Sequence, residues 1–258
     1  MHSITLQPHK KIYFASDFHL GAPDSQSSKL REITLTKWLD SIKHDAQTIF
    51  LVGDLFDFWF EYKHVVPKGF LRFLGKIVEL QTLGVEFIFF TGNHDLWMFD
   101  YFEKELGIKT YREATHFQIS QKDFLIGHGD GLGPGDHSYK FLKKIFTSKI
   151  CQFLFRWLHP DIGMWFGNAW SMDRKTNQRL VAASDFKTKE QEWLYQYSKE
   201  VEQSEHHDYY VFGHRHLALD IEINQKSRYI NLGEWFISGK NTFADFDGNQ
   251  LILREFKA

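Results

Sequence analysis

Residues able to bind metal or move protons recur at the ends of apolar runs. The first run closes as Phe14-Ala-Ser-Asp-Phe-His-Leu-Gly21, with Asp17 and His19 two apart. Thr48-Ile-Phe-Leu-Val-Gly-Asp54 ends in Asp54, and Phe87-Ile-Phe-Phe-Thr-Gly-Asn-His-Asp95 ends in Asn93, His94 and Asp95. His128 follows Phe124-Leu-Ile-Gly127, and His214 and His216 follow Tyr209-Tyr-Val-Phe-Gly213, again two apart. In extended chain residues i and i+2 point to the same side, so each such pair is expected to project together.

Asp17, His19, Asp54, Asn93, His128, His214 and His216 offer more oxygen and imidazole donors than one tetrahedral zinc ion uses. They suit two five- or six-coordinate divalent ions sharing a bridging carboxylate. Mixed imidazole and carboxylate ligands accept Mn, Fe or Zn and do not choose among them. Two ions about 3.5–4 Å apart acidify water and clamp the oxygens of a phosphoryl group. A lone strand-end Asp is ordinarily a turn residue or helix cap, and a lone buried His is ordinarily a satisfied core residue. Five separate strand ends that collect ligand types point instead to one shared site. Asp57, three residues after Asp54, reads equally as a support for that site or as a cap.

The elements that must carry these residues are legible as short β-branched or aromatic runs. Strands are expected over residues 12–15, 48–52, 85–91, 124–126 and 209–212, then 219–223, 229–232, 243–246 and 251–254. Helical patterns fall between the early strands, over 30–43, 69–83 and 99–106. Strand–helix alternation predicts a largely parallel sheet, and the crowded later strands predict a more antiparallel set. A four-layer α/β/β/α sandwich accommodates both. In open α/β sheets ligands bind beyond the carboxyl ends of the strands, where the donors stand.

Residues 137–177 break the rhythm. Leu142, Phe146, Ile150, Leu154 and Leu158 recur every four residues, a helical signal. Residues 137–160 carry Lys140, Lys143, Lys144, Lys149 and Arg156 and no acidic side chain. This reads as a helical cap, inserted at about 136–182 into a single domain spanning 1–258. One-sided charge beside Phe and Trp predicts a surface that meets something greasy and anionic.

The whole chain has a formal net charge of −2, which gives no broad phosphate-tracking surface and argues against nucleic acid as partner. Cys151 is the single cysteine, so an intrachain disulfide and a cysteine metal site are excluded. Met1-His-Ser-Ile-Thr-Leu-Gln-Pro8 lacks a charged segment followed by an apolar run, and no apolar stretch reaches the roughly 18 residues of a spanning helix. A cytoplasmic protein is expected.

In order along the chain, Asp17-x-His19, Gly53-Asp54, Gly92-Asn93-His94-Asp95, Gly127-His128 and Gly213-His214-x-His216 resemble the five motifs of the calcineurin-like metallophosphoesterases. The resemblance implies one metal on Asp17, His19, Asp54 and His216, and a second on Asp54, Asn93, His128 and His214, with Asp54 bridging. It implies His94 outside the metal shell as the catalytic residue that stabilises or protonates the reacting phosphoester, with Asp95 hydrogen-bonded to His94 to orient it. Manganese is the expected metal, with iron or zinc compatible.

Gly53-Asp-Leu-Phe-Asp-Phe-Trp59, the cap opening Asp136-His-Ser-Tyr139, and Asn231-Leu-Gly-Glu-Trp235 resemble one branch of that family, the UDP-2,3-diacylglucosamine diphosphatases of lipid A synthesis. The branch implies hydrolysis of a lipid-linked nucleotide pyrophosphate to lipid X and UMP. It also implies peripheral contact with the cytoplasmic face of the inner membrane. Asn93, His94, Tyr139, Ser171, Arg174 and Lys175 are the expected substrate contacts. The best-known members of the branch carry Arg where this chain has His94, and His can donate a proton where Arg only clamps charge. Alternatives are a phosphodiesterase or phosphatase for another nucleotide or phospholipid-like substrate, and a non-catalytic scaffold, which the full set of ligand types argues against.

Overall fold

The computed structural model describes residues 2–134, 137–169, 171, 188–236 and 239–257. Two six-stranded mixed sheets stack face to face. The first has the order β12-β11-β2-β3-β4-β5: β2 (Lys11–Ala15), β3 (Ala46–Val52), β4 (Glu86–Phe90) and β5 (Lys109–Tyr111) run parallel, and β11 (Thr242–Phe246) and β12 (Leu251–Glu255) extend it antiparallel. The second has the order β1-β6-β7-β8-β10-β9, with β1 (His2–Ile4), β6 (Thr115–Ile119), β7 (Lys122–Gly127), β8 (Tyr209–Phe212), β9 (Ala218–Asn224) and β10 (Ser227–Leu232).

Alternation along each strand makes the layers. Phe14, Phe50, Val52, Ile88 and Phe90 face Phe124, Ile126, Val211 and Ile230 between the sheets. Their neighbours Tyr13, Ala15, Ile49, Leu51 and Phe89 turn outward onto α1 (Ser25–Ile42), α2 (Leu71–Thr82) and α3 (Tyr101–Leu106), where Leu35, Trp38, Phe73, Ile77 and Phe102 cover them. On the far side Leu194 and Tyr195 of α7 (Trp193–Glu202) cover Tyr210, Phe212 and Tyr229. Strands buried on both faces read as continuous apolar runs, which is why they are visible in the sequence.

The α/β/β/α layering matches the expectation, with three differences in detail. The later strands are not a set of their own: β11 and β12 join the first sheet, and β10 lies parallel to β8. β1, β5 and β6 were not anticipated. Two are only three residues long, and Thr115-His-Phe-Gln-Ile119 is too polar to stand out. Third, the helical signal of residues 142–158 is met, by two helices whose division the spacing did not show. The segment divides into α4 (His137–Thr147) and α5 (Lys149–Arg156) at Ser148, whose ψ of 123° is extended. A further helix, α6, covers 160–169. The expected limits of the cap, 136 and 182, lie outside the described residues.

Glu202 at the end of α7 ties the second sheet together. Its carboxylate accepts from His206 Nδ1 at 2.8 Å, Tyr210 Oη at 2.7 Å, Ser227 Oγ at 2.8 Å, Asn224 Nδ2 at 3.1 Å and the His207 amide at 3.1 Å. Burial by itself would raise its pKa, but hydrogen bonds from His206, Tyr210, Ser227 and the His207 amide bring it down to about 2. A depressed carboxyl contributes stability that is complete above its unfolded value of 4.5 and is lost as pH falls toward the folded value. Glu202→Gln is therefore expected to destabilise by about 2 kcal/mol at pH 7 and by clearly less at pH 3, measured by urea unfolding. Equal destabilisation at both pH values would contradict this role.

Candidate metal centre

The ends of β2, β3, β4, β7 and β8 lie together at one edge of the stacked sheets. Asp17, His19, Asp54, His214 and His216 all follow strand ends with positive φ, at 57°, 46°, 53°, 70° and 55°. Left-handed backbone costs a non-glycine residue roughly 1–2 kcal/mol, and such strain collects at functional sites. This corrects the expected geometry. Asp17 and His19 converge because both turn left-handed beyond Ala15, where β2 ends, not because they share a side of an extended strand. Backbone bonds hold the turns in register: Asp17 N donates to Gly53 O at 3.0 Å and His19 N to Asp54 O at 2.9 Å. His214 N donates to Asp17 Oδ2 at 3.0 Å. Arg215, between the two histidines, turns away to buried Glu192, with Nε 3.1 Å from its carboxylate.

The glycines before the donors are required by close approach. A Cβ on Gly92 would stand 2.6 Å from Asp54 N and 2.8 Å from His128 Nε2, and would strike Asp54 Oδ1. A Cβ on Gly213 would stand 2.5 Å from Asp17 Oδ2 and 2.7 Å from Ser16 Oγ. Real Cβ contacts are not that short, so the donors can converge only over glycine.

Two groups of donors meet at Asp54. Asp17, His19, Asp54 and His216 form one, and Asp54, His128 and His214 the other, each with its donor atoms within 4.8 Å of one another. His216 Nε2 lies 3.2 Å from Asp17 Oδ1 and 3.2 Å from His19 Nε2, and His128 Nε2 lies 3.3 Å from Asp54 Oδ2. His128 Nδ1 donates to Val52 O at 2.9 Å, which places the ring's lone pair on Nε2. That Nε2, Asp17 Oδ1 and Asn93 Oδ1 are buried without a hydrogen bond. Buried polar atoms are normally paired, and lone pairs aimed at a common point are what a cation requires. The residues fit a pair of divalent ions.

The charges point the same way. Burial would raise both carboxyls, yet His216 holds Asp17 below its ordinary value, and His128 with His94 holds Asp54 well below. Burial opposes charge on His128 too, but Asp54, Asp17 and Asp130 carry its pKa up to about 10, so with no cation present the carboxylates draw a second proton to Nε2, and a divalent ion would displace that proton to reach the lone pair. Burial lowers His19 to about 4 and His214 to about 3, so these rings present lone pairs.

His94 stands beside the cluster, its ring centroid 4.7 Å from that of His19. Its N–H donates to Asp54 Oδ1 at 2.9 Å, and its Nδ1 donates to Asp57 O at 2.8 Å. The expected hydrogen bond from Asp95 to His94 is not made. Asp95 points back into the protein and accepts from Gly92 N at 2.7 Å, Leu55 N at 2.8 Å and Asp54 N at 3.3 Å. Burial and the charge of Asp54 push its carboxyl up to about 7. Asp95 fastens the β3 and β4 turns to each other, and Asp57 orients His94. The Asp57 carboxylate also lies 3.4 Å from His19 Nδ1 and accepts from Ser171 Oγ at 2.8 Å.

Ser171 reaches the site, with its Oγ 3.4 Å from His94 Nδ1. Tyr139 is buried with its ring 6.4 Å from that of His214, and its hydroxyl donates to Asp130 Oδ2 at 2.6 Å. Lys143 Nζ meets the same Asp130 oxygen at 2.6 Å, so Tyr139 and Lys143 anchor α4 beside the β7 turn. Arg174 and Lys175 lie outside the described residues. Asp130 and Lys143 were missed as a pair because nothing in their spacing links them.

From Asn93 and His94 an apolar cleft runs between Phe58, Leu96 and Trp97 on one side and Phe146, Phe155 and Phe166 of the cap helices on the other. Gly92→Ala is expected to lower divalent-metal content, measured by plasma mass spectrometry, from about two ions per chain to about one or fewer while the protein still melts cooperatively. Unchanged metal content would show that the close approach over Gly92 does not set the centre.

A family model of the calcineurin-like phosphoesterases matches residues 10–218. The chain is 37% identical over 260 residues to the UDP-2,3-diacylglucosamine hydrolase of Porphyromonas gingivalis, covering 96% of this chain and 98% of that protein. It is 29% identical over 149 residues to the Haemophilus influenzae protein of the same name, covering 57% of this chain and 60% of that one. It is 23% identical over 238 residues to that of Shewanella sp. strain W3-18-1, covering 89% and 90%. The chain belongs to the calcineurin-like phosphoesterase family, the metal-dependent hydrolases of phosphoesters.

Proposed function

We propose that the protein hydrolyses the pyrophosphate of UDP-2,3-diacylglucosamine, adding water across one P–O bond to release lipid X and UMP. The observation that carries this reading is the continuity of the donor cluster with the apolar cleft, which share Asn93 and His94. A soluble nucleotide needs no such cleft, whereas burial of acyl chains stabilises binding by about 0.8 kcal/mol per CH₂. The similarity to the Porphyromonas gingivalis hydrolase along nearly the whole chain supports the same substrate.

In this reading Asp17, His19, Asp54 and His216 hold one divalent ion, and Asp54, Asn93, His128 and His214 hold the other, with manganese preferred. When bound, the pair supplies positive charge to the phosphoryl group and acidifies water. His94 is fixed through Nδ1 on Asp57 O, which leaves Nε2 to meet the reacting phosphoester; only the doubly protonated ring, with a second hydrogen on Nε2, can give that proton to the leaving oxygen, and the neutral ring that remains recovers it from water. Ser171 locks Asp57 and closes the site from the cap side. Phe58, Trp97, Phe146 and Phe155 hold acyl chains and keep water from the cleft.

The outer cap exposes Phe141, Ile150, Phe153, Leu154, Trp157 and Trp165, together with basic residues of α4 and α5. Among the described residues no helix is long and apolar enough to cross a membrane. Peripheral docking of the cap on the cytoplasmic face of an anionic bilayer would let the acyl chains enter without crossing water.

Manganese-dependent UMP release is expected from UDP-2,3-diacylglucosamine and not from UDP-N-acetylglucosamine. Hydrolysis of bis-p-nitrophenyl phosphate without turnover of the acylated substrate would keep the hydrolase and overturn the substrate. A second outcome tests the cleft itself. α6 lies against Phe58 over Gly167, where a Cβ would strike the ring. Gly167→Ala is expected to lower kcat/KM for the acylated substrate at least about tenfold and leave bis-p-nitrophenyl phosphate hydrolysis nearly unchanged. Equal loss on both substrates would mean the cleft does not read acyl chains.

A further inference from the structure

We infer that His116, Glu205 and His207 form a separate cation site that takes a zinc-class transition-metal ion. It lies near the starts of β7 and β8, whereas the candidate metal centre lies beyond their ends. His116 is on β6, and Glu205 and His207 are in the connection from α7 to β8. The donor atoms of the three residues lie within 4.8 Å of one another. Glu205 Oε1 is 3.7 Å from His116 Nδ1 and 3.9 Å from His207 Nε2. The two rings meet edge to face with centroids 4.9 Å apart.

The hydrogen bonds around the cluster set the protons away from its centre. His116 Nε2 donates to Asp123 Oδ1 at 2.9 Å, which leaves the lone pair on Nδ1, facing Glu205. That is the carboxylate–histidine arrangement that orients metal-binding rings. Tyr210 Oη donates to Glu202 Oε2 at 2.7 Å, so its oxygen is an acceptor for His207 Nδ1 at 3.4 Å. The proton of His207 then sits on Nδ1, and Nε2 carries the lone pair. His207 is fully buried, and its Nε2 is among the buried atoms without a hydrogen bond. Burial lowers the pKa of His207 and keeps the ring neutral.

Two imidazole lone pairs and a carboxylate thus converge with no proton between them. Without a cation this leaves a buried acceptor unpaired, which is unfavourable. A zinc-class ion with bonds of about 2.0–2.2 Å satisfies all three and leaves a fourth position for water. The donors must close by a few tenths of an ångström or more, and the Glu205 side chain, 63% exposed, is free to swing to do so. An ion here would clip β6 to the α7–β8 connection. Its contribution would add to that of the Glu202 network next to it.

The experiment is zinc uptake by the full chain preloaded with manganese, titrated against a chromogenic zinc chelator. It compares wild type with His116→Gln and Glu205→Gln, and with Asp123→Asn. Any exchange of zinc into the manganese centre is common to all four proteins, so the differences report this site. Wild type should bind one more equivalent of zinc than His116→Gln or Glu205→Gln, and Asp123→Asn should bind it about 10–100-fold more weakly. Zinc should raise the melting temperature of wild type more than that of either ligand variant. Bis-p-nitrophenyl phosphate hydrolysis by every variant checks that each is folded. Equal zinc stoichiometry and affinity in all four would overturn the site without touching the proposed reaction.

Discussion

The structure depends on placing Asp17 and Asp54, both almost wholly buried, beside four imidazoles at one edge of two stacked sheets. A buried carboxylate is tolerated only when cations or hydrogen bonds answer it. Backbone amides answer part of the charge, through His214 N on Asp17 and His94 N on Asp54. His216 on Asp17 and His128 on Asp54 answer more of it, and the donor set fits a pair of divalent ions for the rest. Every local feature of the edge follows from that demand: left-handed turns at the strand ends, glycine where a Cβ would separate the donors, and Asp95 fastening two of the turns from behind.

The donor types were legible because each stands at the end of a strongly apolar run, and strands buried on both faces announce themselves. Their geometry was not legible. An i, i+2 spacing is compatible with an extended strand or with two left-handed turns, and only the fold decides between them. The role of Asp95 was implied by the family resemblance, yet adjacent side chains leave the backbone in different directions. Asp95 turns to the amides behind it, and the orienting group is the carbonyl of Asp57, which has no sequence signature. The repeat over residues 142–158 gave the helical character and not the break. Apolar residues every four positions continue across Ser148, although the backbone breaks there.

Specificity is built on other elements than chemistry. The donors come from strand ends of the sheets, whereas the cleft that meets them is walled on one side by Phe146, Phe155 and Phe166 of α4, α5 and α6. Those helices are held at several places: Tyr139 and Lys143 grip Asp130 next to His128, Trp97 Nε1 donates to Phe146 O, and α6 lies against Phe58 and Tyr62 over Gly167 and Gly163. Glycine at the α6 contacts lets that helix come close to the Phe58 and Tyr62 rings. The cap can therefore change its lining without disturbing the donors, and the same metal chemistry can serve substrates of different shape.

The central claim is that Asp54 is shared by two metal ions. Anomalous diffraction at the manganese edge, from crystals grown with manganese, tests it most directly. Two peaks about 3.5–4 Å apart, both within bonding distance of Asp54, are the predicted result. A single peak, or a pair of which only one contacts Asp54, would contradict it.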